Sequence, residues 1–491
     1  MAWEKLKTVL VAWRKKLRGT VKWLYPGLGV KRYLLLTLLG LLIFMGGLFF
    51  FWRRGLVYRA KVELLLHLMD GFFHQPLWGV LLLLAGALLV LRGLQQTGKA
   101  IAGILLPDHS RHLIEKLYTR RYLERGPKIV VIGGGTGLSV LIRGLKEYTS
   151  NITAVVTVTD DGGSSGRLRG EMGVLPPGDL RDCLLALADT EPLLEKLFQY
   201  RFPDGKGLGG HNFGNLFIVV MAEMLGYSRA MQEFSKVLAI RGTVLPVTLE
   251  QVILRAVFTD GSTAVGETNI VQAGRHIASL SLQPAACRPL PQVLRAISEA
   301  EAIILGPGSL YTSVLPNLLV PGVKEALAQA TAPCIYVCNI MTQPGETEGL
   351  SAAGHLQVLF RHGCEGLIDG IVVNNATDLP PALAVRYQQE GATTVKVDND
   401  VLTQWNIKVI AAPLLNHHTA AHHDCKKLAA LLFDRLAGWE TGLDGLWAYT
   451  RANLNGNLRR ARKEMGVPSA GPLAKTHKKL KHILKHALRK V

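Results

Sequence analysis

The sequence predicts an α/β fold: a doubly wound, mostly parallel sheet, preceded by two transmembrane helices. Three observations predict it. Short apolar runs of the buried-strand kind recur through the middle of the chain, and several end in glycine-rich or small polar turns. Helix-like stretches separate these runs, and strands alternating with helices build parallel sheets. Ahead of them lie two uncharged runs, 33–52 and 72–91. Each is long enough to cross a bilayer, which takes about 20 apolar residues.

Composition bounds the rest. At 491 residues the chain has room for more than one domain. Hydrophobic residues make up 48% and the mean hydropathy is +0.22, so part of the chain belongs in lipid. The net charge of +19 sits at the ends: residues 1–128 carry +15 and 451–491 carry +11, leaving −7 for the middle. A mildly acidic middle argues against nucleic acid as a partner, since a nucleic-acid-binding domain shows a basic face. Basic ends favour an anionic membrane surface. The six cysteines (183, 287, 334, 338, 364 and 425) form no pair of CxxC clusters. That argues against a structural zinc site and fits buried thiols in a reducing compartment.

In chain order, residues 1–32 are basic, with Trp3, Leu6, Leu10, Trp13 and Leu17 at helical spacing. They are expected as an interfacial amphipathic helix or a solvated cytoplasmic tail. Residues 33–91 are expected as a transmembrane hairpin. Lys and Arg are dense on both flanks, so both belong in the cytoplasm and the hairpin loop outside. The expected location is the cell membrane, multi-pass, with the main domain in the cytoplasm. Residues 92–127 read as a charged linker broken by Pro107 and Pro127.

The main domain, 128–440, opens with a strand from Lys128 to Ile132. The turn Gly133-Gly134-Gly135-Thr136-Gly137 follows, then a helix from Leu138 to Tyr148. Strand, glycine turn and helix N-terminus together make an anion site. Leu138 stands where a dinucleotide fingerprint has its last Gly or Ala, which weakens a nicotinamide enzyme. No GxxxxGK[ST] element of a P-loop NTPase is present.

A second strand, Ile152 to Thr159, delivers a long polar loop that runs to Asp182. It holds Asp160 and Asp161, then Gly162, Gly163, Ser164, Ser165, Gly166 and Arg167. It ends in Pro176-Pro177-Gly178-Asp179 and opens a helix at Leu180. Glycines free backbone N–H groups for an anion, serines add hydroxyls, and an arginine fork matches phosphate. Carboxylates beside such a loop suit a divalent ion or sugar hydroxyls.

Residues 204–215 form another glycine-rich turn, with His211, Asn212 and Asn215 ahead of an apolar helix from Leu216 to Leu225. Asn212 suits an N-cap, and His211 is either a site residue or a structural one. Residues 243–283 read as short strands, with Thr259-Asp260-Gly261-Ser262 as a hairpin turn. A strand from Ala302 to Leu305 ends in Gly306-Pro307-Gly308-Ser309-Leu310-Tyr311-Thr312, and another from Cys334 to Cys338 ends in Asn339 to Thr347. Four strand ends with glycine or small polar residues point to one shared cleft. Later strands are expected at Ile371–Asn374, Thr394–Val397 and Val409–Ala412, with a closing helix from Lys426 to Leu436. In the basic segment 441–491, Leu480, Ile483, Leu484, Ala487 and Val491 share one helical face. This is an amphipathic helix on anionic lipid or a disordered tail.

The motifs VIGGGTGLSVL, TVTDDGGSSGRLR, LPPGDLRDCLLALAD, HNFGN, GPGSLYTSVLPNLLVPG and YVCNIMTQPGET stand in the order seen in the CofD-like superfamily. Residues 128–440 resemble that superfamily and, within it, the YvcK-type gluconeogenesis factors. Asn212 and Gly170 depart from the family's HSFGN and RLRDE patterns, which puts a family role for position 212 in question. The resemblance implies a Rossmann-like domain that binds a UDP-sugar and supports cell shape and wall synthesis during gluconeogenic growth, with cell-wall-synthesis proteins as partners. A related branch implies the alternative, a transferase that moves a phospholactyl group onto a deazaflavin. By the same resemblance, Gly133 to Gly137 and Gly162 to Arg167 cradle phosphates. Asp160, Asp161 and Asp179 hold a divalent cation such as Mg or sugar hydroxyls. His211, Asn215, Gly308, Ser309 and Tyr311 line the cleft, and Tyr387 in RYQQEGA resembles a tyrosine of the nucleotide-sugar site. No nucleophile with a base and an orienting partner stands out, so a regulatory binder is expected rather than an enzyme, and no catalytic residue is assigned.

Overall fold

The structure is a computed structural model that describes residues 30–56, 76–105, 123–189, 192–205, 207–376, 379–416 and 422–436. The amphipathic segments expected within 1–29 and 441–491 lie outside these residues. The chain divides into two compact units, Met1–Thr119 and Arg120–Val491.

The first unit contains two helices, α1 (Val30–Leu56) and α2 (Pro76–Leu105). Both are long and apolar enough to cross a membrane, over Arg32–Phe49 and Trp78–Ala100. Glycines set how they pack. Gly40 and Gly47 on α1, and Gly86 and Gly93 on α2, are spaced seven residues apart and are buried between the helices. A Cβ on Gly86 would lie 2.5 Å from the Phe44 amide nitrogen, and one on Gly93 would lie 2.9 Å from that of Thr37. Only a hydrogen side chain lets the backbones approach this closely, the small-residue packing used where lipid removes the hydrophobic drive. Leu35, Leu42, Phe49, Leu84 and Leu88 face outward from the pair. The sequence reading ends the second helix at Leu91, but α2 continues to Leu105. The Gly93–Thr37 contact lies beyond the uncharged run, so packing carries the helix into the expected linker.

The second unit is built on seven strands: β1 (Ile129–Gly133), β2 (Ile152–Val156), β3 (Thr243–Pro246), β7 (Ala302–Leu305), β8 (Cys334–Val337), β9 (Gly370–Asn374) and β10 (Lys408–Ala412). Their order is β10-β9-β8-β7-β1-β2-β3, and every pairing is parallel. Alternate residues feed opposite faces, as strand geometry requires. Val130 and Ile132 enter one core with Ile303 and Tyr336, and Ile129 and Val131 enter the other with Ile304 and Ile335. The order reverses direction between β1 and β7, the place where open α/β sheets bind ligands. A small antiparallel sheet, β4 (Ile253–Phe258), β5 (Thr263–Val265) and β6 (Ile277–Gln283), joins the first core, and β4 and β5 meet at the expected hairpin turn.

Helices α3 (Gly135–Leu145), α4 (Gly163–Met172), α5 (Gly178–Leu187), α6 (Pro192–Gln199), α7 (Phe213–Leu225), α8 (Tyr227–Val237) and α9 (Glu267–Gln272) lie in the first half of this unit. Two expectations are corrected. The glycine-rich stretch after Asp161 is not an open loop: residues 163–172 form α4 despite three glycines. Burial of Ser164, Ser165 and Leu168 on one side outweighs the low helix propensity of glycine, and Gly173 closes the helix at φ +64. Residues 394–397 form no strand. Thr394 makes one bridge to Met341, while Val395 and Val397 pack against the core.

Candidate functional site

A cleft of about 580 Å³ opens at the carboxyl ends of the central strands. Its floor is two glycine turns that touch. A Cβ on Gly137 would stand 2.4 Å from the Pro307 carbonyl oxygen, so glycine is required for the turns after β1 and β7 to meet. Gly134, Gly135, Thr136, Gly137, Gly308 and Ser309 all line the cleft. Asn339, at the end of β8, clamps the second turn by accepting from the Gly308 N–H (3.1 Å) and donating to the Gly308 carbonyl (2.8 Å). The sequence-predicted strand ends therefore converge.

Five carboxylates edge this cleft: Asp160, Asp179, Glu267, Glu346 and Glu390. Asp179 accepts from the Gly135 N–H at the start of α3. Burial, then Asp160 and Asp182, push its carboxyl up to about 7. Burial, then Asp160 and Asp179, push Glu267 up to about 9. Burial also raises Asp160, against hydrogen bonds from the Gly162 N–H and the Ser165 hydroxyl. Glu346 is raised by burial while it accepts from the Ser309 hydroxyl and the Tyr311 N–H. No Lys or Arg appears among the described residues that line the cleft.

The other predicted site residues lie elsewhere. Asp161 turns away from its neighbour and accepts from the Thr268 N–H (2.9 Å) and hydroxyl (2.6 Å), capping α9. Gly162 and Gly163 start α4, and Gly166 sits in its first turns. Ser164 is a hub: its hydroxyl oxygen lies 3.1 Å from His211 Nδ1 and accepts from the Asn212 N–H (3.3 Å) and the Asn215 amide (3.2 Å). Ser165 accepts from the Gly178 N–H, joining α4 to α5. Arg167 donates to the Gly209 carbonyl (2.9 Å). Asn212 is the N-cap of α7, accepting from the Asn215 N–H. Tyr311 is buried with its hydroxyl 3.5 Å from the Ile277 carbonyl, whereas Tyr387 does line the cleft. The GGSSG and HNFGN motifs thus knit α4, α5 and α7 together behind Asp160 rather than lining the cleft themselves.

A second cavity of about 690 Å³ lies at the opposite end of the sheet, among Lys128, Asn151, Tyr227 and Arg295. It has the larger volume but no converging glycine turns, so the cleft at the strand ends is the candidate site.

The sequence profile of the CofD family, described as 2-phospho-L-lactate transferase CofD, matches residues 129–415. The chain belongs to the CofD family. Within it, the chain is 48% identical to the gluconeogenesis factor of Bacillus subtilis over 313 residues, covering 63% of this chain and 98% of that one. It is 46% identical over 432 residues to a gluconeogenesis-factor relative from Nostoc sp., covering 86% of this chain and 93% of that one. That coverage necessarily reaches into the residues before Arg120. A crystal structure from Bacillus halodurans superposes with a TM-score of 0.61 at 46% identity, covering 62% of this chain and 99% of that one. The chain is thus a YvcK-type CofD-family protein with a Rossmann-like domain and an additional N-terminal unit.

The CofD-family cleft also contains residues that sequence reasoning missed: Glu267, Ser313, Glu390, His422 and His423. Glu267 sits on a six-residue helix with no motif around it. Asn339 and Glu346 did lie in the quoted YVCNIMTQPGET motif, where a side chain keyed to a neighbouring turn was the available signal.

Proposed function

We propose that this CofD-family chain is a membrane-tethered cytoplasmic binder of nucleotide sugars of the UDP-sugar class, acting as a regulator of wall synthesis and cell shape during gluconeogenic growth. The observation that carries this reading is the cleft where the β1 and β7 turns meet. Paired glycine turns and the N-terminus of α3 suit a diphosphate, and carboxylates beside them suit sugar hydroxyls or a cation. The name gluconeogenesis factor, carried by relatives from several bacteria, supports the physiological setting. The α1–α2 hairpin supplies the tether.

A divalent cation such as Mg fits this site only in part. No three His, Cys, Asp or Glu side chains among the described residues stand close enough to cage an ion. Mg is commonly held by one or two carboxylates together with substrate phosphates. Asp160 and Asp179 would supply the carboxylates and the ligand the rest. The same carboxylates favour a second reading, metal-assisted transfer from a nucleotide-activated donor.

Calorimetric titration of the full chain with UDP-sugars, GDP and NAD, with and without Mg, tests the proposal. Selective, Mg-strengthened binding of a UDP-sugar is expected. Preference for NAD, or no uridine nucleotide binding, would overturn it.

A further inference from the structure

One side of the cleft differs in character from the glycine turns. Ile340, Met341, Ala392 and Tyr387 line it. The first three are buried, and with Leu415 they form a small apolar cluster of their own. The segment 392–395 forms one wall of this bay: Thr342 N–H donates to the Thr393 carbonyl (2.7 Å), and Val395 N–H to the Ile340 carbonyl (2.9 Å).

His423 borders the same bay. It is 6% exposed, is bridged to Leu415, and lines the cleft. The Asp424 N–H donates to the Leu414 carbonyl (2.7 Å), which holds the backbone beside it. The imidazole donates one hydrogen bond to the Cys338 carbonyl at the end of β8. Its Nε2 is buried and has no partner, which leaves Nδ1 as the nitrogen turned to that carbonyl. Burial, with His422 adding to it, lowers the imidazole to about 4, so the ring is neutral near pH 7. A neutral ring with Nδ1–H engaged offers a bare lone pair at Nε2. A buried acceptor without a donor is costly, and a ligand group that donates to it recovers that cost.

We propose that His423 Nε2 reads the base of the nucleotide, accepting a hydrogen bond from a ring N–H of a nucleobase held flat in the Ile340–Met341–Ala392–Tyr387 bay. The inference rests on the nucleotide-sugar reading and gives that cleft a base end and a phosphate end. A planar heterocycle has apolar faces for the bay and a polar edge for the histidine. Uracil presents its N3–H on that edge. Cytosine carries a bare acceptor at the same position, which would face the Nε2 lone pair.

The test uses the full chain in detergent micelles, with UDP and N3-methyl-UDP as probes. The wild-type protein is expected to bind UDP at least tenfold more tightly than the N3-methyl analogue. His423→Ala removes the acceptor and opens room for the methyl group. It is expected to weaken UDP at least tenfold and to bind the two probes alike. His423→Gln, which places an amide oxygen near the Nε2 position, is expected to recover part of the preference for UDP. Equal wild-type affinity for the two probes overturns the assignment, and that comparison needs no variant to fold. Wild-type UDP affinity in a folded His423→Ala protein overturns it as well. If the wild-type protein binds no uridine nucleotide, the nucleotide-sugar reading falls too, whereas UDP binding without discrimination sinks the histidine alone.

Discussion

Asp160 and Asp161 are adjacent in sequence and have different jobs: one faces the cleft, and the other caps α9 from 107 residues away. Outside regular structure, neighbouring side chains have no fixed relation, so the sequence can nominate the pair without choosing between them. Glu267 and His423 were not readable for a related reason. Each becomes a cleft residue only through contacts made between distant parts of the chain. The carboxylates that do face inward make stability depend on pH. In the unfolded chain they titrate near the usual value of about 4. In the folded chain Asp179 keeps its proton to about 7 and Glu267 to about 9. Across that window the folded state binds more protons, so stability falls as pH rises, by about 1.4 kcal/mol per pH unit for each group still protonated only when folded. Thermal melts should therefore show the ligand-free protein losing stability from pH 5 to pH 8. Asp179→Asn together with Glu267→Gln should flatten that slope, and an unchanged slope would refute the burial argument. Ser164 makes a separate forecast. Ser164→Ala leaves the Asn215 amide without its buried acceptor, at a cost of about 1–3 kcal/mol in denaturant unfolding.

At the scale of elements, most strands were readable because a buried parallel strand is a short apolar run whatever surrounds it. Helix α4 was not, because GSSGRLRG has almost no apolar periodicity and is held by what its serines reach on α5 and α7. The two long helices were readable by length and composition, but the glycines that pair them were not read as an interface. Their seven-residue spacing gives the hairpin a packing seam that any larger side chain must open. Gly86→Leu should separate α1 from α2. A cysteine placed on each helix where the two approach across the seam tests this by cross-linking in detergent. Efficient linkage is expected in the parent, with most of it lost in the glycine variant. Equal linkage in both would show that the seam tolerates bulk.

For the whole molecule, the Bacillus subtilis and Bacillus halodurans relatives align over nearly their full lengths while covering under two thirds of this chain. The CofD-family unit therefore has the means to fold without the hairpin. A fragment of residues 120–491 should melt cooperatively and, under the proposed function, bind a UDP-sugar as the full chain does. The full chain should sediment with membranes and leave them only with detergent. Release by high salt alone would count against the hairpin as an anchor. The sheet's direction reversal was beyond sequence reading, since strand order is decided by which crossovers pack, but its outcome, strand-end turns gathered in one place, was anticipated. The cleft described above also has a kinetic consequence. Above about pH 9, once Asp179 and Glu267 have lost their protons, a diphosphate approaching a mouth edged by Asp160, Asp179, Glu267, Glu346 and Glu390, with no lysine or arginine among the described residues that line it, climbs a repulsive potential. Dissolved ions shorten the reach of that repulsion, to about 8 Å at physiological strength. At that pH encounter should therefore quicken as salt is added, the reverse of the usual dependence for a phosphate-binding protein, and stopped-flow association rates at rising KCl would display it.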